Sequence, residues 1–227
     1  MKKNIYEKFN LSNSYKKELI QFIKNMSNVE IGGNRFYDGT GTHYIQNPHE
    51  IADLLFFLRK YEKNKKFKLK SFLEIGFAAG VNNSFINKFF NFKNIVAVDI
   101  INNVGINTQT FFANLRFKKI TLVCGDSTEG STIQKVKLMG PYDFIFIDGG
   151  HEYKTVKKDF LNYSKFLSKY GIIVFHDIKS HLFVPGVLKF WNEFKKTNKK
   201  RLKKRPQEKI PDTNPLTDPS LVLNLAK

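Results

Sequence analysis

Residues 142–153, YDFIFIDGGHEY, join a mostly apolar run to an acid, two glycines and a histidine. A second apolar run, GIIVF at 171–175, is followed in the same way by His176 and Asp177. Short apolar runs bounded by glycine and polar residues favour buried strands. The two stretches therefore predict two strands that both end in acid and imidazole, and we expect the two ends to form one site.

The same pattern recurs earlier in the chain. Three further apolar runs are each followed by enough residues for a helix: FLEIG at 72–76, IVAVDI at 95–100 and ITLVCGD at 120–126. Apolar strands that alternate with helices predict a parallel sheet covered on both faces. We therefore expect an α/β protein with a doubly wound, mainly parallel sheet, preceded by N-terminal helices. Ligands of such sheets bind beyond the carboxyl ends of the strands.

Helical spacing is clearest in EYKTVKKDFLNYSKFLSKYG at 152–171, where we expect one helix that ends just before Gly171. The apolar residues predicted to share one face of this helix are Tyr153, Val156, Phe160, Tyr163 and Leu167. A second helix, PHEIADLLFFLRKY, is predicted to begin after Asn47, with Glu50 as a capping-box carboxylate.

Three regions are predicted along the chain. Residues 1–46 form a helical segment and a glycine-rich loop, 47–194 the core, and 195–227 a basic, proline-rich tail that is expected to be disordered. After the fifth predicted strand the sequence offers only LVLNL, at 221–225, as a candidate strand. We therefore expect the C-terminal strands of the sheet to be missing or atypical.

Charge and cysteine content limit the setting of the protein. The net charge of +18 is compatible with nucleic acid, a membrane surface or an anionic substrate, but an AT-rich genome also produces this lysine-rich composition. The single cysteine, Cys124, allows no disulfide within the chain, which is typical of a reducing compartment. Neither a secretory leader nor a transmembrane run is apparent, so a cytoplasmic location is expected.

Small residues follow the first predicted strand in LEIGFAAG at 73–80. Gly76, Ala78 and Gly80 would let the backbone approach a ligand closely at a strand-to-helix turn, with Glu74 just before it. The spacing is not the dinucleotide fingerprint G-x-G-x-x-G, which argues against a dehydrogenase. A tight turn with an exposed Glu74 is the alternative interpretation.

Acids also end the next two strands. Asp99 is placed where a carboxylate commonly binds ribose hydroxyls, although a loop acid or helix cap is equally consistent with the sequence. Asp126 and Ser127 could contact an adenine edge or cap the helix that follows. The sequence alone leaves both pairs of alternatives open.

These motifs, in this order, resemble those of class I S-adenosylmethionine-dependent methyltransferases over roughly residues 31–194. The later Asp-Gly-x-His and His-Asp pairs resemble the sugar and macrolide O-methyltransferases and the cephalosporin hydroxylase-like proteins. The resemblance implies a loop under the methionine part of the cofactor, a ribose-binding acid and adenine contacts. The residues in these cofactor roles would be Glu74, Gly76, Ala78 and Gly80, then Asp99, then Asp126 and Ser127, with Asp148 as a further contact.

The resemblance also implies a metal and a base. Asp148, His176 and Asp177 occupy the places of metal ligands, and His151 that of the general base. An alcohol is a poor acid, so a base or a cation must assist its deprotonation. His176 stands where the family usually has Asp or Glu, and an imidazole makes Mn²⁺ or Fe²⁺ more suitable relative to Mg²⁺.

The function expected from the sequence is therefore metal-assisted O-methylation of a small-molecule or sugar acceptor, as in polysaccharide biosynthesis. Nucleic acid is not an expected partner, because the basic residues concentrate in the tail, which could touch a membrane surface weakly. The alternatives are an RNA methyltransferase, suggested by the charge, and a non-catalytic cofactor-binding or scaffold protein with a degenerate C-terminus.

Overall fold

The computed structural model describes residues 9–25, 48–77, 80–100, 120–178, 185–197 and 221–224. The helices in these ranges are α1 (Asn13–Lys24), α2 (Pro48–Lys65), α3 (Val81–Phe89), α4 (Gly130–Leu138), α5 (Tyr153–Tyr163) and α6 (Pro185–Thr197). The strands are β1 (Ser71–Ile75), β2 (Asn94–Asp99), β3 (Ile120–Cys124), β4 (Tyr142–Ile147), β5 (Leu167–Phe175) and β6 (Leu221–Asn224).

The strands form one sheet in the order β3-β2-β1-β4-β5-β6. The first five are parallel to their neighbours, and β6 pairs antiparallel with β5. This confirms the predicted doubly wound, mainly parallel sheet. The strand order reverses at β1, whose neighbours are β2 and β4, so a ligand crevice is expected above the carboxyl ends of these strands.

Both faces of the sheet are buried because successive side chains of a strand point to opposite sides. Phe72 and Phe144 pack into one apolar cluster with residues of α1, α2 and α3. Leu73 and Ile145 pack into a second cluster with residues of α4, α5 and α6. The polar residues at the strand ends are therefore held by a sheet with a hydrophobic layer on each side.

The helix predicted across residues 152–171 is wrong in its C-terminal part. Helix α5 ends at Tyr163, a short 3₁₀ turn covers Ser164–Phe166, and β5 already begins at Leu167. Tertiary hydrogen bonds hold this segment extended: the Ser168 hydroxyl donates to Asp143 (2.6 Å), and the Tyr61 hydroxyl donates to the Tyr170 carbonyl (2.9 Å). The apolar spacing was helical, but these contacts override a local preference.

At the C-terminal side, α6 continues to Thr197 and β6 adds one antiparallel strand to the edge of the sheet. The predicted glycine-rich loop at 31–46 and most of the predicted tail, 198–220, lie outside the described residues. In the part of the chain that the structure describes, no helix is both long enough and apolar enough to cross a membrane.

Candidate active site

Backbone hydrogen bonds continue past the strand ends and align the loops that follow. The Gly76 amide donates to the Val98 carbonyl (2.9 Å), the Asp148 amide to Ile75 (2.8 Å), and the His176 amide to Ile147 (3.1 Å). The polar residues after β1, β4 and β5 therefore lie side by side. We call the C-terminal ends of the parallel strands, with Glu74, Asp99, Asp148 and Asp177, the acidic end.

The turn after β1 has no room for a side chain at Gly76. Its φ is +89°, and a Cβ there would lie 2.0 Å from the carbonyl oxygen of Asp148. Gly80 also has a positive φ, +74°, directly before α3. Glycine adopts this conformation without steric cost. Both glycines thus fit the predicted close-approach turn, whereas Ala78 lies outside the described residues.

Glu74, at the end of β1, is a buried carboxyl that is only partly satisfied. Its side chain is 1% exposed, and its Oε2 accepts a hydrogen bond from Asn83 Nδ2 (2.9 Å). Among the residues that the structure describes, its Oε1 has no hydrogen-bond partner. Burial raises the pKa of Glu74 well above its usual range, against the opposing effect of the Asn83 hydrogen bond. The predicted alternative, an exposed Glu74 on a tight turn, is wrong.

The first turn of α3 contributes two buried asparagines that the sequence interpretation missed. Asn82 Nδ2 donates to Asp148 Oδ2 (2.9 Å), while Asn82 Oδ1 has no partner within the described ranges. Asn83 is fully buried against Glu74. The signal was an Asn-Asn pair directly after a glycine turn, but asparagine at a helix start is usually a cap.

Asp99 and Asp126 both bond to nearby backbone. Asp99 Oδ2 accepts from the Phe77 amide (2.8 Å) and so ties the end of β2 to the turn after β1. Asp126 Oδ1 accepts from the Thr128 amide (2.7 Å), which lowers the pKa of Asp126. This second contact closes a turn in the loop after β3 and is not the predicted helix cap, because the N-cap of α4 is Glu129.

Ser127 faces α5, where a buried acid meets it. The Ser127 hydroxyl donates to Asp159 Oδ1 (2.7 Å), and the Tyr163 hydroxyl donates to the Ser127 carbonyl (2.8 Å). Asp159 is fully buried, its Oδ2 lacks a partner in the described part of the chain, and burial raises its pKa to about 7. The sequence signal was an acid three residues after Val156, within the apolar stripe of α5.

His151 lies at the mouth of the site and contacts Asp177. The two side chains approach to 3.0 Å between His151 Nε2 and Asp177 Oδ2, and the histidine side chain is 46% exposed. The hydrogen bond to Asp177 raises the pKa of His151, against the effect of burial. Gly186 of helix α6 packs closely against this loop, since a Cβ on Gly186 would lie 2.3 Å from the His151 carbonyl oxygen.

His176 lies deeper, between carboxylates. Its Nδ1 is 3.0 Å from Asp177 Oδ1 and 3.3 Å from Asp148 Oδ1, and its Nε2 is 3.9 Å from Glu50 Oε2. Burial lowers the pKa of His176, but the carboxylates outweigh it and leave the pKa well above its usual range. Burial alone would raise the pKa of Asp177, but the hydrogen bonds and charges of the two histidines outweigh it and hold this pKa well below its usual range. Glu50, predicted only as a cap, thus comes close to the site.

One group of donor atoms at this end is compact enough for a cation. Ligand atoms of Asp148, His151 and Asp177 all lie within 4.8 Å of one another. Two carboxylates and an imidazole suit Mn²⁺ or Fe²⁺, and also Mg²⁺ if oxygen ligands complete its shell. The predicted ligands were Asp148, His176 and Asp177, so this group has His151 in place of His176.

Comparisons with known proteins agree with this geometry. Residues 73–178, which include all the polar strand ends, match a family model described as a methyltransferase domain. The sheet order and the flanking helices are those of the Rossmann-like methyltransferase fold. The match supports methyltransferase activity for this domain.

Solved structures share the fold at low sequence identity. A Staphylococcus aureus protein named as a candidate caffeoyl-CoA O-methyltransferase is 19% identical, with 83% of this chain and 91% of that chain covered and a TM-score of 0.58. CalS11, a TDP-rhamnose 3'-O-methyltransferase of calicheamicin biosynthesis, is 14% identical, with 95% and 96% covered and a TM-score of 0.52. At these identities the likeness establishes the fold.

A curated relative is the uncharacterized protein R132 of Acanthamoeba polyphaga mimivirus. It is 26% identical over 132 residues, which is 52% of this chain. The chain covers 56% of the length of that relative. This similarity assigns no substrate.

Proposed function

We propose that the protein is an S-adenosylmethionine-dependent O-methyltransferase that acts on a hydroxyl of a small-molecule or sugar acceptor. The observation that carries the proposal is a pair of buried acceptors in a methyltransferase fold, Glu74 Oε1 and Asn82 Oδ1, that have no hydrogen-bond partner among the described residues. Buried acceptors without donors are costly, so a ligand with a hydrogen-bonding cation is favoured there. S-adenosylmethionine carries such a cation, its ammonium group, as well as a sulfonium.

The described residues fit the cofactor part by part. The turn at Gly76 and Gly80 would hold the methionine part, and Asp99 the ribose hydroxyls. Of the pair assigned to adenine, Ser127 already gives its hydroxyl to Asp159. We therefore assign the adenine edge to Asp126 and to the backbone of the loop after β3.

His151 is proposed as the general base. Asp177 holds one ring nitrogen, Nε2, which leaves Nδ1 to take the proton of the acceptor hydroxyl as its oxygen attacks the methyl group. The methyl–sulfur bond breaks in the same step, and the bonding pair stays on sulfur, giving S-adenosylhomocysteine. The partial exposure of His151 allows an acceptor to reach it.

A divalent cation also fits this site, held by Asp148, His151 and Asp177. When bound, it would lower the pKa of a coordinated acceptor hydroxyl. One nitrogen of His151 cannot both bind the cation and accept the proton. Whether the reaction needs a metal therefore decides which of these two roles His151 has. The sugar acceptor class is supported by the fold shared with the TDP-rhamnose 3'-O-methyltransferase.

The test is methyl transfer from labelled S-adenosylmethionine to a panel of sugars, nucleotide sugars and catechols, with and without EDTA. We expect His151→Ala to lose turnover by about 10²–10⁴-fold while it retains cofactor binding. Lys154→Ala, an exposed position in the first turn of α5, is the matched control. Metal-dependent turnover with Mn²⁺ binding lost in His151→Ala would assign His151 to the cation instead of the proton.

Two outcomes would contradict the proposal. Unchanged turnover in His151→Ala would remove the residue from the chemistry. A folded protein that gives no thermal shift with S-adenosylmethionine or S-adenosylhomocysteine would favour the non-catalytic alternative.

A further inference from the structure

The N-terminal ends of the parallel strands lie on the side of the sheet opposite the acidic end, and this side is strongly basic. We call it, with the loops that lead into the strands and the helix ends beside them, the basic end. The exposed lysines described at this end are Lys66, Lys68, Lys70 and Lys93 in loops, Lys165 in the 3₁₀ turn and Lys169 in β5. Lysines near a helix C-terminus are favoured by the helix dipole, which applies to Lys66 and Lys165 but not to Lys70, Lys93 or Lys169.

The two buried carboxylates described at this end, Glu62 and Asp143, pair with one of those lysines, Lys68. Glu62 is 4% exposed and accepts from Arg59 Nη1 (2.8 Å), Lys68 Nζ (3.3 Å) and the Leu69 amide (3.0 Å). Asp143 is 7% exposed and bonds to two backbone amides and to Ser168. Both acids are used inside the protein, so the outer surface of the basic end keeps its positive charge.

A groove of about 570 Å³ opens at this end, and aromatic rings line it together with the lysines. Its walls include Phe9, Leu11, Lys63, Lys66, Phe67 and Lys68. The ring of Tyr170, 43% exposed, lies 5.5 Å from that of Phe67, and Lys169 Nζ lies 5.5 Å from the Tyr170 ring. Tyr170 and Lys169 thus lie beside the groove, next to Phe67, and are not part of its walls.

Lys66 occupies an unfavourable backbone conformation at the rim of this groove. It follows the last residue of α2 with a φ of +49°, in the left-handed region where helices usually end in glycine. A non-glycine residue there costs about 1 kcal/mol. A lysine held at this position against its backbone preference is consistent with a role for its ammonium group.

We propose that this groove binds single-stranded nucleic acid, with phosphates on Lys63 and Lys66 and a base against Phe67. A basic groove that tracks the backbone, with aromatic faces for the bases, is the recognition mode of single strands. A membrane surface fits less well, because a flat bilayer cannot follow a concave groove. The sequence argued against this partner by placing the charge in the tail, whereas the fold gathers a second set of lysines at one edge.

The experiment measures fluorescence anisotropy of a labelled oligouridine of about twelve nucleotides, titrated with the full chain. We expect binding that weakens about tenfold or more between roughly 50 and 200 mM salt. Lys66→Gly should weaken binding and lower the slope of log affinity against log salt concentration by about 0.7 in magnitude. The protein should remain as stable as before or become more stable. Phe67→Ala should weaken binding about tenfold.

The control is Lys154→Gln, which removes one exposed charge at the opposite end of the sheet. The basic segment 195–205 is present in every variant, so its contribution to binding cancels in the comparison. Equal losses in Lys66→Gly and Lys154→Gln would overturn the groove as the binding site. Equal affinity for base-free polyphosphate, or binding to phosphatidylserine vesicles but not to oligouridine, would overturn nucleic acid as the occupant.

Discussion

The two ends of the sheet each bury a glutamate, and the two glutamates differ in what surrounds them. Glu62 at the basic end and Glu74 at the acidic end are 4% and 1% exposed. Both oxygens of Glu62 accept hydrogen bonds from described residues, whereas Glu74 Oε1 accepts none from them. A buried carboxylate with a full set of donors stabilises the fold, and one with an unsatisfied oxygen is suited to a ligand.

The aspartates repeat the contrast. Asp143 at the basic end uses both oxygens, one on the amides of Lys70 and Ser71 and the other on Ser168. Asp159, beside the loop after β3, bonds to described residues through one of its two oxygens. We therefore propose that the buried acids of the basic end stabilise the fold and that those of the acidic end serve the cofactor, and substitutions at paired positions can separate the two roles.

The largest effect is expected from Gly76→Ala. The added methyl would meet the Asp148 carbonyl at 2.0 Å, and the positive φ strains any side chain, so we expect a loss of about 4 kcal/mol or more in the free energy of unfolding. Gly130→Ala is the matched control, because a Cβ there meets nothing within 4 Å. Urea unfolding measures both. A fully stable Gly76→Ala protein would refute the tight contact between the loops after β1 and β4.

The paired glutamates come next. Glu62→Gln should lower the free energy of unfolding by about 3 kcal/mol, because Gln leaves Arg59 and Lys68 without their counter-charge. Glu74→Gln should leave stability equal or higher, because burial already disfavours the carboxylate, but weaken S-adenosylmethionine about tenfold. Urea unfolding measures the stability of each variant, and calorimetric titration measures its affinity for S-adenosylmethionine. Similar stability losses in both would end the distinction between the two glutamates.

Much of the acidic end was predictable because its residues follow a repeated pattern. Each parallel strand ends in an acid, and a doubly wound sheet brings those ends to one edge, so Glu74, Asp99, Asp148 and Asp177 could be placed together before the fold was known. The different burial of His151 and His176 could not be predicted. Both follow strands, and only the fold shows that one lies near the surface and the other between carboxylates.

The unpredicted contributions come from helices. Asn82 and Asn83 resemble ordinary caps in sequence, and Asp159 lies beside the apolar stripe of α5. Glu50 approaches His176 across 126 positions of sequence. Such long-range contacts leave no periodic signal in the chain. The early end of α5 has the same cause, since the bond from Ser168 to Asp143 is also tertiary.

A smaller effect is expected at Asp159, through pH. Its folded pKa, about 7, lies above that of an unfolded aspartate, so the folded state is slower to ionise as pH rises. The contribution of Asp159 to stability is therefore lost between about pH 4 and pH 7 and is level above that range, and Asp159→Asn should remove this loss. Urea unfolding at a series of pH values checks the slope. Equal slopes in both proteins would show that Asp159 is ionised throughout.

The smallest effect concerns protons taken up or released at Glu74 when the cofactor binds. Because its pKa is raised, Glu74 carries a proton in the unliganded protein over a range above its usual pKa. A cationic ligand favours the ionised form, so binding should release up to about one proton, and affinity should rise by at most about tenfold per pH unit. Titration calorimetry in phosphate and in Tris measures the proton count from the difference in heat. Glu74→Gln should abolish this release, and Glu62→Gln, whose carboxylate already has its donors, should leave it unchanged. Release that persists in Glu74→Gln would place the proton on another group and separate the unsatisfied oxygen from cofactor binding.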